Sequence, residues 1–108
     1  WPGTYKDIKA GLEQLNSFSN QPIDTKNFAI AGHSAGGHLA SRMVCEDSSL
    51  ASKTLGRVTA VQSISGLHDL RPLMHTKMND ILHIDEAEAR IESAALRRPT
   101  AEFSADKI

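Results

Sequence analysis

Residues 27–44, NFAIAGHSAGGHLASRMV, decide the fold. They begin with a short apolar run at 27–31 that does not alternate with polar residues, a pattern typical of a strand buried on both faces. A glycine-rich connection follows at 32–37, and the next apolar residues recur at helical spacing, namely Leu39, Ala40, Met43 and Val44. The stretch therefore predicts a buried strand, a tight connection and a helix with one apolar face.

Upstream of this stretch, the sequence predicts a first helix over residues 5–18. Thr4 and Asp7 have the spacing of a capping box, in which a hydroxyl and a carboxylate satisfy backbone amides at a helix start. Asn20 and Pro22 end the helix, because proline cannot continue it. The apolar residues between recur at helical spacing: Tyr5, Ile8, Leu12 and Leu15.

Downstream, a polar, serine-rich loop at 47–56 leads to a second predicted strand at 58–64. A further loop runs through 71–72. The third helix starts at the Asp-x-x-Glu pattern of 85–88 and ends before Pro99, where a proline stops it. Its thin apolar face is predicted to contain Ala87, Ile91 and either Ala94 or Ala95.

The order helix, strand, helix, strand, helix predicts an open, mostly parallel α/β sheet with helices on both faces. Two strands, with a third beginning near 105–108, are too few for such a sheet. We therefore expect residues 1–108 to be a single segment of one larger α/β domain, incomplete at both ends.

Composition excludes several classes of protein. The 108 residues carry 12 Lys+Arg against 13 Asp+Glu, so the net charge of −1 does not indicate a nucleic-acid-binding surface. No apolar run approaches the ~18 residues of a membrane span, and the first residues lack the pattern of a secretory signal. The single cysteine, Cys45, cannot form an internal disulfide and is typical of a reducing compartment, so we expect a cytoplasmic protein. The oligomeric state is left open.

The glycine-rich connection contains Gly-x-Ser-x-Gly, the pattern of a nucleophile elbow, at Gly32, Ser34 and Gly36. In such an elbow the serine occupies a strained turn, usually with positive φ, and glycines let the strand and the helix approach closely. The backbone N–H of Ala35 would face a developing oxyanion at the positive end of the helix. The alternative is an inert serine in a glycine-rich turn, whereas the pattern does not fit a phosphate-binding loop.

Two stretches resemble signatures of α/β-hydrolase-fold serine esterases. Residues 31–40, AGHSAGGHLA, are similar to the elbow of the hormone-sensitive-lipase-like and arylformamidase-like groups, and 65–73, SGLHDLRPL, resembles a stretch of kynurenine-formamidase-like hydrolases. The resemblance covers residues 24–99 and implies an α/β-hydrolase fold with Ser34 as nucleophile. It places His33 and Gly37 in the elbow beside the pattern residues. The substrate implied is a carboxylic ester, with an N-formyl aromatic amine such as N-formylkynurenine as the alternative.

The same resemblance implies a triad in the order Ser, Asp or Glu, then His, with a His-Gly-Gly loop upstream of the elbow. The sequence contains no such loop, and neither the acid nor the base is identifiable. Asp69 is one candidate for the acid, but we favour a loop carboxylate that accepts backbone N–H bonds or pairs with Arg71. A catalytically incomplete homologue with a binding role is therefore a further alternative, and we expect the segment alone to be inactive.

The five histidines and Cys45 are assigned no catalytic role. His33 and His38 flank the elbow and are expected to line the pocket or bond the backbone, while His75 and His83 are expected at the surface or lining the pocket. His68 follows the second strand at the sheet edge where α/β active sites gather. No histidine has metal-site spacing, so we predict no metal and no cofactor. Cys45 is expected to be a small buried core residue.

Overall fold

The fold is mixed α/β, and the computed structural model describes residues 3–17, 24 and 26–100. In chain order the elements are helix α1 (Gly3–Gln14) with a 3-10 turn (Leu15–Ser17), strand β1 (Phe28–His33), helix α2 (Ala35–Met43), short helix α3 (Ser52–Leu55), strand β2 (Val58–Ile64), a 3-10 helix (Arg71–His75), short helix α4 (Asn79–Leu82), helix α5 (Glu86–Glu92) and a 3-10 turn (Ala94–Leu96). β1 and β2 pair in parallel, so the parallel α/β arrangement is confirmed at that level.

The pairing of the two strands includes one extra residue in β2. Phe28 pairs with Val58 but Ala29 pairs with Ala60, so Thr59 has no partner in β1. Since paired residues share a face of the sheet, the shift brings one set of side chains together: Phe28, Ile30, Gly32, Val58, Val61 and Ser63. Helix α2 packs against both strands, and this face carries the core.

The opposite face of the sheet is exposed among the described residues. It presents Ala29, Ala31 and His33 from β1, and Gln62 and Ile64 from β2. The prediction of a first strand buried on both faces is therefore wrong for the described residues, whereas the helices predicted on both faces of a larger sheet stay a prediction. The physical reason is the strand's two-residue repeat, which sends alternate side chains away from α2.

Two apolar clusters hold the elements together. The first joins α2, β2 and the segment between them: Ala40, Val44, Leu50, Leu55, Val58 and Val61, with Leu12 of α1 packed against it. The second fixes α5 to the region after β2 through Leu70, Ile84 and Ala89. Each side chain that is fully withdrawn from water contributes about 1.5–3 kcal/mol for a residue of Val or Leu size. The first cluster thus keeps α2 seated on the sheet.

A buried arginine links three helices. The Arg42 side chain of α2 is 3% exposed and bonds Asp47 at 2.7 Å and Glu92 of α5 at 3.1 Å. Its guanidinium also lies 5.4 Å from the centre of the Tyr5 ring of α1, within cation–π distance. Burial lowers the pKa of Arg42, but the hydrogen bond to Asp47 and the negative charges of Glu92 and Asp47 outweigh this effect, so the pKa lies above its ordinary value.

Several element boundaries differ from the sequence-based predictions. α1 begins at Gly3, so Thr4 lies inside the helix and is not its N-cap, and Phe18 lies outside the described residues. The predicted loop at 47–56 contains α3, because Thr54 and Leu55 are buried against the core and fold into a helical turn. The third strand predicted near 105–108 also lies outside the described residues.

The third predicted helix, α5, has the expected start but a different buried face. Asp85 accepts from the Glu88 N–H and the Glu88 carboxylate returns a bond to the Asp85 N–H, so the capping box is confirmed. The helix ends at Glu92, well before Pro99, and it buries Ala89 rather than Ala87 or Ile91. The predicted apolar face is wrong because the second cluster receives the helix on the Ala89 side.

In the part of the chain that the structure describes, no helix has the length and apolar character needed to cross a membrane.

Candidate functional site

Ser34 occupies the corner between β1 and α2. Its backbone has φ 54° and ψ −116°, and the residue is exposed. The Ser34 N–H donates to the carbonyl of Ile64 at 2.9 Å, and the Ser34 carbonyl accepts from the His38 N–H at 3.1 Å. One bond ties the corner to β2 and the other starts the helix. Because positive φ is uncommon for residues other than glycine, this corner is held by its surroundings. The prediction of a strained strand–helix turn is confirmed.

Two glycines make the corner possible, and one of them differs from the prediction. A Cβ on Gly32 would overlap the backbone oxygen of Gly36, so no side chain fits there. A Cβ on Gly37 would lie 2.6 Å from Ser63 Oγ and 3.0 Å from Gly66 Cα. At Gly36, by contrast, a Cβ would meet nothing within 4 Å. The close approach of β1, β2 and α2 therefore requires glycine at 32 and 37. Gly36 contributes only its backbone, which lies against Gly32.

Ala35 begins α2 and places its backbone N–H at the positive end of that helix. The first amides of an α-helix have no acceptor within the helix, and the helix dipole adds to their attraction for negative charge. An oxyanion formed next to Ser34 would therefore meet a donor and a favourable field. An oxyanion hole for acyl transfer uses donors of this kind, so the position of Ala35 at the helix start agrees with the role predicted for its N–H.

The residue that follows β2 is also a serine with positive φ, and sequence reasoning did not single it out as a site residue. Ser65 has φ 50° and directly follows Ile64, the partner of His33 at the end of β1. Ser34 and Ser65 thus follow the last paired residues of neighbouring strands. Both serines therefore lie at the carboxyl edge of the parallel pair, the edge at which sites of α/β proteins commonly form.

Asp69 is bound by Arg71 of its own loop. The Arg71 guanidinium donates to both carboxylate oxygens, with Nε 2.9 Å from Oδ1 and Nη2 2.6 Å from Oδ2. The Arg71 backbone N–H adds a bond of 3.1 Å to Oδ1. The side-chain and then the backbone bonds from Arg71 hold the pKa of Asp69 at about 2. The favoured interpretation, a loop carboxylate paired with Arg71, is confirmed.

The histidines fall into two groups. His38 is buried, with Nε2 2.6 Å from the carbonyl oxygen of Glu92, and burial lowers its pKa. His68 is half-buried with Nε2 3.1 Å from Ser63 Oγ. The other three, His33, His75 and His83, are exposed. This confirms the surface location expected for His75 and His83. Among the described residues, no group of His, Cys, Asp and Glu side chains could hold a metal ion.

A cavity of about 580 Å³ lies beside β2 on the α2 side of the sheet. Val44 and Cys45 form part of its wall from the end of α2, and Ser63 and His68 form part of it from β2 and the following loop. Ser34 is not among its lining residues. Cys45 is 5% exposed, and burial raises the pKa of its thiol, so its predicted role as a core residue is confirmed.

The described elements define a class of protein by its architecture: an α/β chain whose first strand turns into a helix at an exposed serine with positive φ. Comparison of the chain with protein-family models, with curated proteins and with solved structures finds no significant match.

Proposed function

We propose that this chain is part of a serine hydrolase that cleaves carboxylic esters through an acyl-enzyme on Ser34. The observation that carries the proposal is the corner itself, an exposed serine with φ 54° between a strand and a helix. Beside it, Gly32 packs so closely against the Gly36 backbone that no side chain fits. A serine in an ordinary helix or strand would not have this backbone. The likeness of 31–40 to esterase elbows supports the same chemistry.

In the proposed reaction, the Ser34 hydroxyl oxygen bonds to the substrate carbonyl carbon while its proton passes to a base. The negative charge moves to the carbonyl oxygen, where the Ala35 N–H donates to it. Collapse of the tetrahedral intermediate breaks the bond to the alcohol, which leaves with the proton. Water then attacks the acyl-enzyme by the same steps and releases the acid together with free Ser34.

The described candidates for base and acid are bound elsewhere. The imidazole of His38 contacts the Glu92 backbone, that of His68 contacts Ser63, and Asp69 is paired with Arg71. We therefore assign the base and the acid to none of these groups. Removal of a triad base leaves little of the rate, so the proposal requires an imidazole supplied by another part of the protein.

An arylformamidase is the second candidate, and the stretch 65–73 favours it. In that stretch the positive-φ Ser65 and the Asp69–Arg71 ion pair follow β2 at the same sheet edge as Ser34. A formamide is attacked by the same nucleophile and expels an amine in place of an alcohol. Relative kcat/KM values for N-formylkynurenine and for 4-nitrophenyl acetate separate the two substrate classes.

The proposal is tested by labelling the full-length protein with a fluorophosphonate probe, which forms a covalent bond to an activated serine. We expect labelling of the wild type, its loss in Ser34→Ala, and its persistence in Ser65→Ala. The last variant is the matched control, because it removes a hydroxyl from the other positive-φ corner at the same edge. Folded wild-type protein that takes up no label would contradict the proposal and favour a catalytically incomplete homologue with a binding role.

A further inference from the structure

Below the corner, a hydroxyl and an imidazole form a pair that the proposed reaction does not use. Ser63 Oγ lies 3.1 Å from His68 Nε2, and both side chains are half-buried. Ser63 pairs with Gly32 in the sheet, so its hydroxyl is on the face that α2 covers. The Ser63 hydroxyl therefore lies between β2 and the helix that begins at the nucleophile, and His68 contacts it from the loop after β2.

Two glycines close over this pair from different elements. Gly37, in the first turn of α2, comes so near that an added Cβ would lie 2.6 Å from Ser63 Oγ. Gly66, in the loop after β2, comes so near that an added Cβ would overlap Ser63 Oγ and lie 2.8 Å from the His68 ring. The Ser63 hydroxyl thus lies against the first turn of α2 at Gly37, and the His68 imidazole, bonded to that hydroxyl, lies against Gly66.

The loop that carries the imidazole is itself fixed. The Ala95 N–H donates to the His68 carbonyl at 2.9 Å, and the Leu70 N–H donates to Ser93 Oγ at 2.8 Å. At the other side, the Ser34 N–H donates to Ile64, the residue next to Ser63. A displacement of Ser63 would therefore move the corner at Ser34 in two ways, through Ile64, which bonds Ser34, and through Gly37, which lies against the hydroxyl.

We propose that Ser63 and His68 are positioning residues that set the direction of the first turn of α2, and with it the aim of the Ala35 N–H toward the group bound at Ser34. This inference rests on the proposed hydrolase function. The donor must lie within hydrogen-bond distance of the oxyanion, and a misplacement of 1 Å can cost a factor of roughly 100 in rate. A contact pair that limits movement of this turn therefore acts on the chemical step.

The test compares three variants in the full-length protein. Ser63→Ala and His68→Leu abolish the bond, whereas His68→Gln keeps a side chain able to bond the hydroxyl. The matched control is Thr59→Val, because the Thr59 hydroxyl makes a bond of the same length, 3.1 Å, to the Phe28 carbonyl at the other end of β2. Two quantities are measured for each: the rate constant of Ser34 phosphonylation at saturating probe, and the urea midpoint of unfolding.

We expect Ser63→Ala and His68→Leu to slow phosphonylation about tenfold. A change of this size corresponds to the contribution of about one hydrogen bond to the stability of the transition state. His68→Gln should remain within about twofold of wild type, and Thr59→Val should keep the wild-type rate constant even where its urea midpoint falls.

Wild-type rate constants in Ser63→Ala and His68→Leu would overturn the inference and leave the pair a packing role alone. An unlabelled wild type would instead refute the proposed function, so the two failures are distinct. If His68→Leu does not fold, Ser63→Ala, which deletes a single oxygen, decides the question alone.

Discussion

Alanine at Gly32 and alanine at Gly36 should have opposite effects on stability, although both positions belong to the same Gly-x-Ser-x-Gly pattern. At Gly32 the new Cβ would overlap the backbone of Gly36 and lie 2.8 Å from the Gly37 nitrogen. Only movement of the first turn of α2 could relieve this contact. Because the obstacle is backbone and not a flexible side chain, we expect a loss of about 3 kcal/mol, at the upper end of overpacking costs.

At Gly36 the added methyl group enters open space, and the residue does not have a positive φ. Alanine there restricts the unfolded chain and has a higher helix propensity than glycine. We expect a gain of about 0.5–1 kcal/mol in the free energy of unfolding, so the two variants should differ by about 4 kcal/mol.

Urea unfolding followed by circular dichroism measures the difference, and fluorophosphonate labelling reports on Ser34 in the same samples. Gly36→Ala should have a midpoint at or above that of the wild type and should be labelled at a rate within about threefold of it. Gly32→Ala should have a much lower midpoint and lose labelling. Equal destabilisation by the two substitutions would refute the reasoning, because it would mean that Gly36 also needs the absence of a Cβ.

Three further predictions concern ion pairs and a helix cap in the described residues. Arg42→Met should lower the free energy of unfolding by about 3 kcal/mol in urea titrations, because it leaves the half-buried Glu92 carboxylate without its cation, and an unchanged midpoint would contradict this. Asp85→Ala should cost about 1 kcal/mol by removing the capping box of α5, whereas Asp85→Asn should recover most of it. The lowered pKa of Asp69 means that its ionised form favours the folded state: the stabilisation is present above pH 3.8 and is lost as the pH falls toward about 2. The difference in Tm between wild type and Asp69→Asn should therefore disappear over that interval, and a constant difference would show that the charge is not involved.

Short sequence patterns predicted the elements whose bounds depend on residues close together in the chain. The bounds of β2 at 58–64 agree with the predicted strand, because a β-branched run ends at Ser65 and Gly66. The start of α5 was predictable from the two carboxylates of its capping box. The corner at Ser34 was predictable as well, since a buried run, small residues and a helical stripe follow one another there.

What the sequence did not predict depends on contacts between distant residues. The cation of Arg42 is paired with Glu92, 50 positions later in the chain, and no local pattern indicates this partner. The Ser63–His68 bond could have been suspected from the Ser-Gly turn between them, but the approach of Gly37 belongs to another element. The exposed face of β1 also escaped prediction, because a run of small apolar residues looks the same whether one face or two are covered.

Thr59 is the residue of β2 that pairs with no residue of β1, so its deletion should affect the sheet differently from a deletion elsewhere in the strand. Deletion of Thr59 would leave the partners Ala29–Ala60 and Gly32–Ser63 as they are and would only restore a regular ladder. Deletion at Gln62 would instead bring a different side chain opposite Gly32 and remove the Ser63 hydroxyl from beneath the corner at Ser34. A deletion at position 59 should thus leave the sheet edge beside Ser34 unchanged, whereas a deletion at Gln62 should disrupt it.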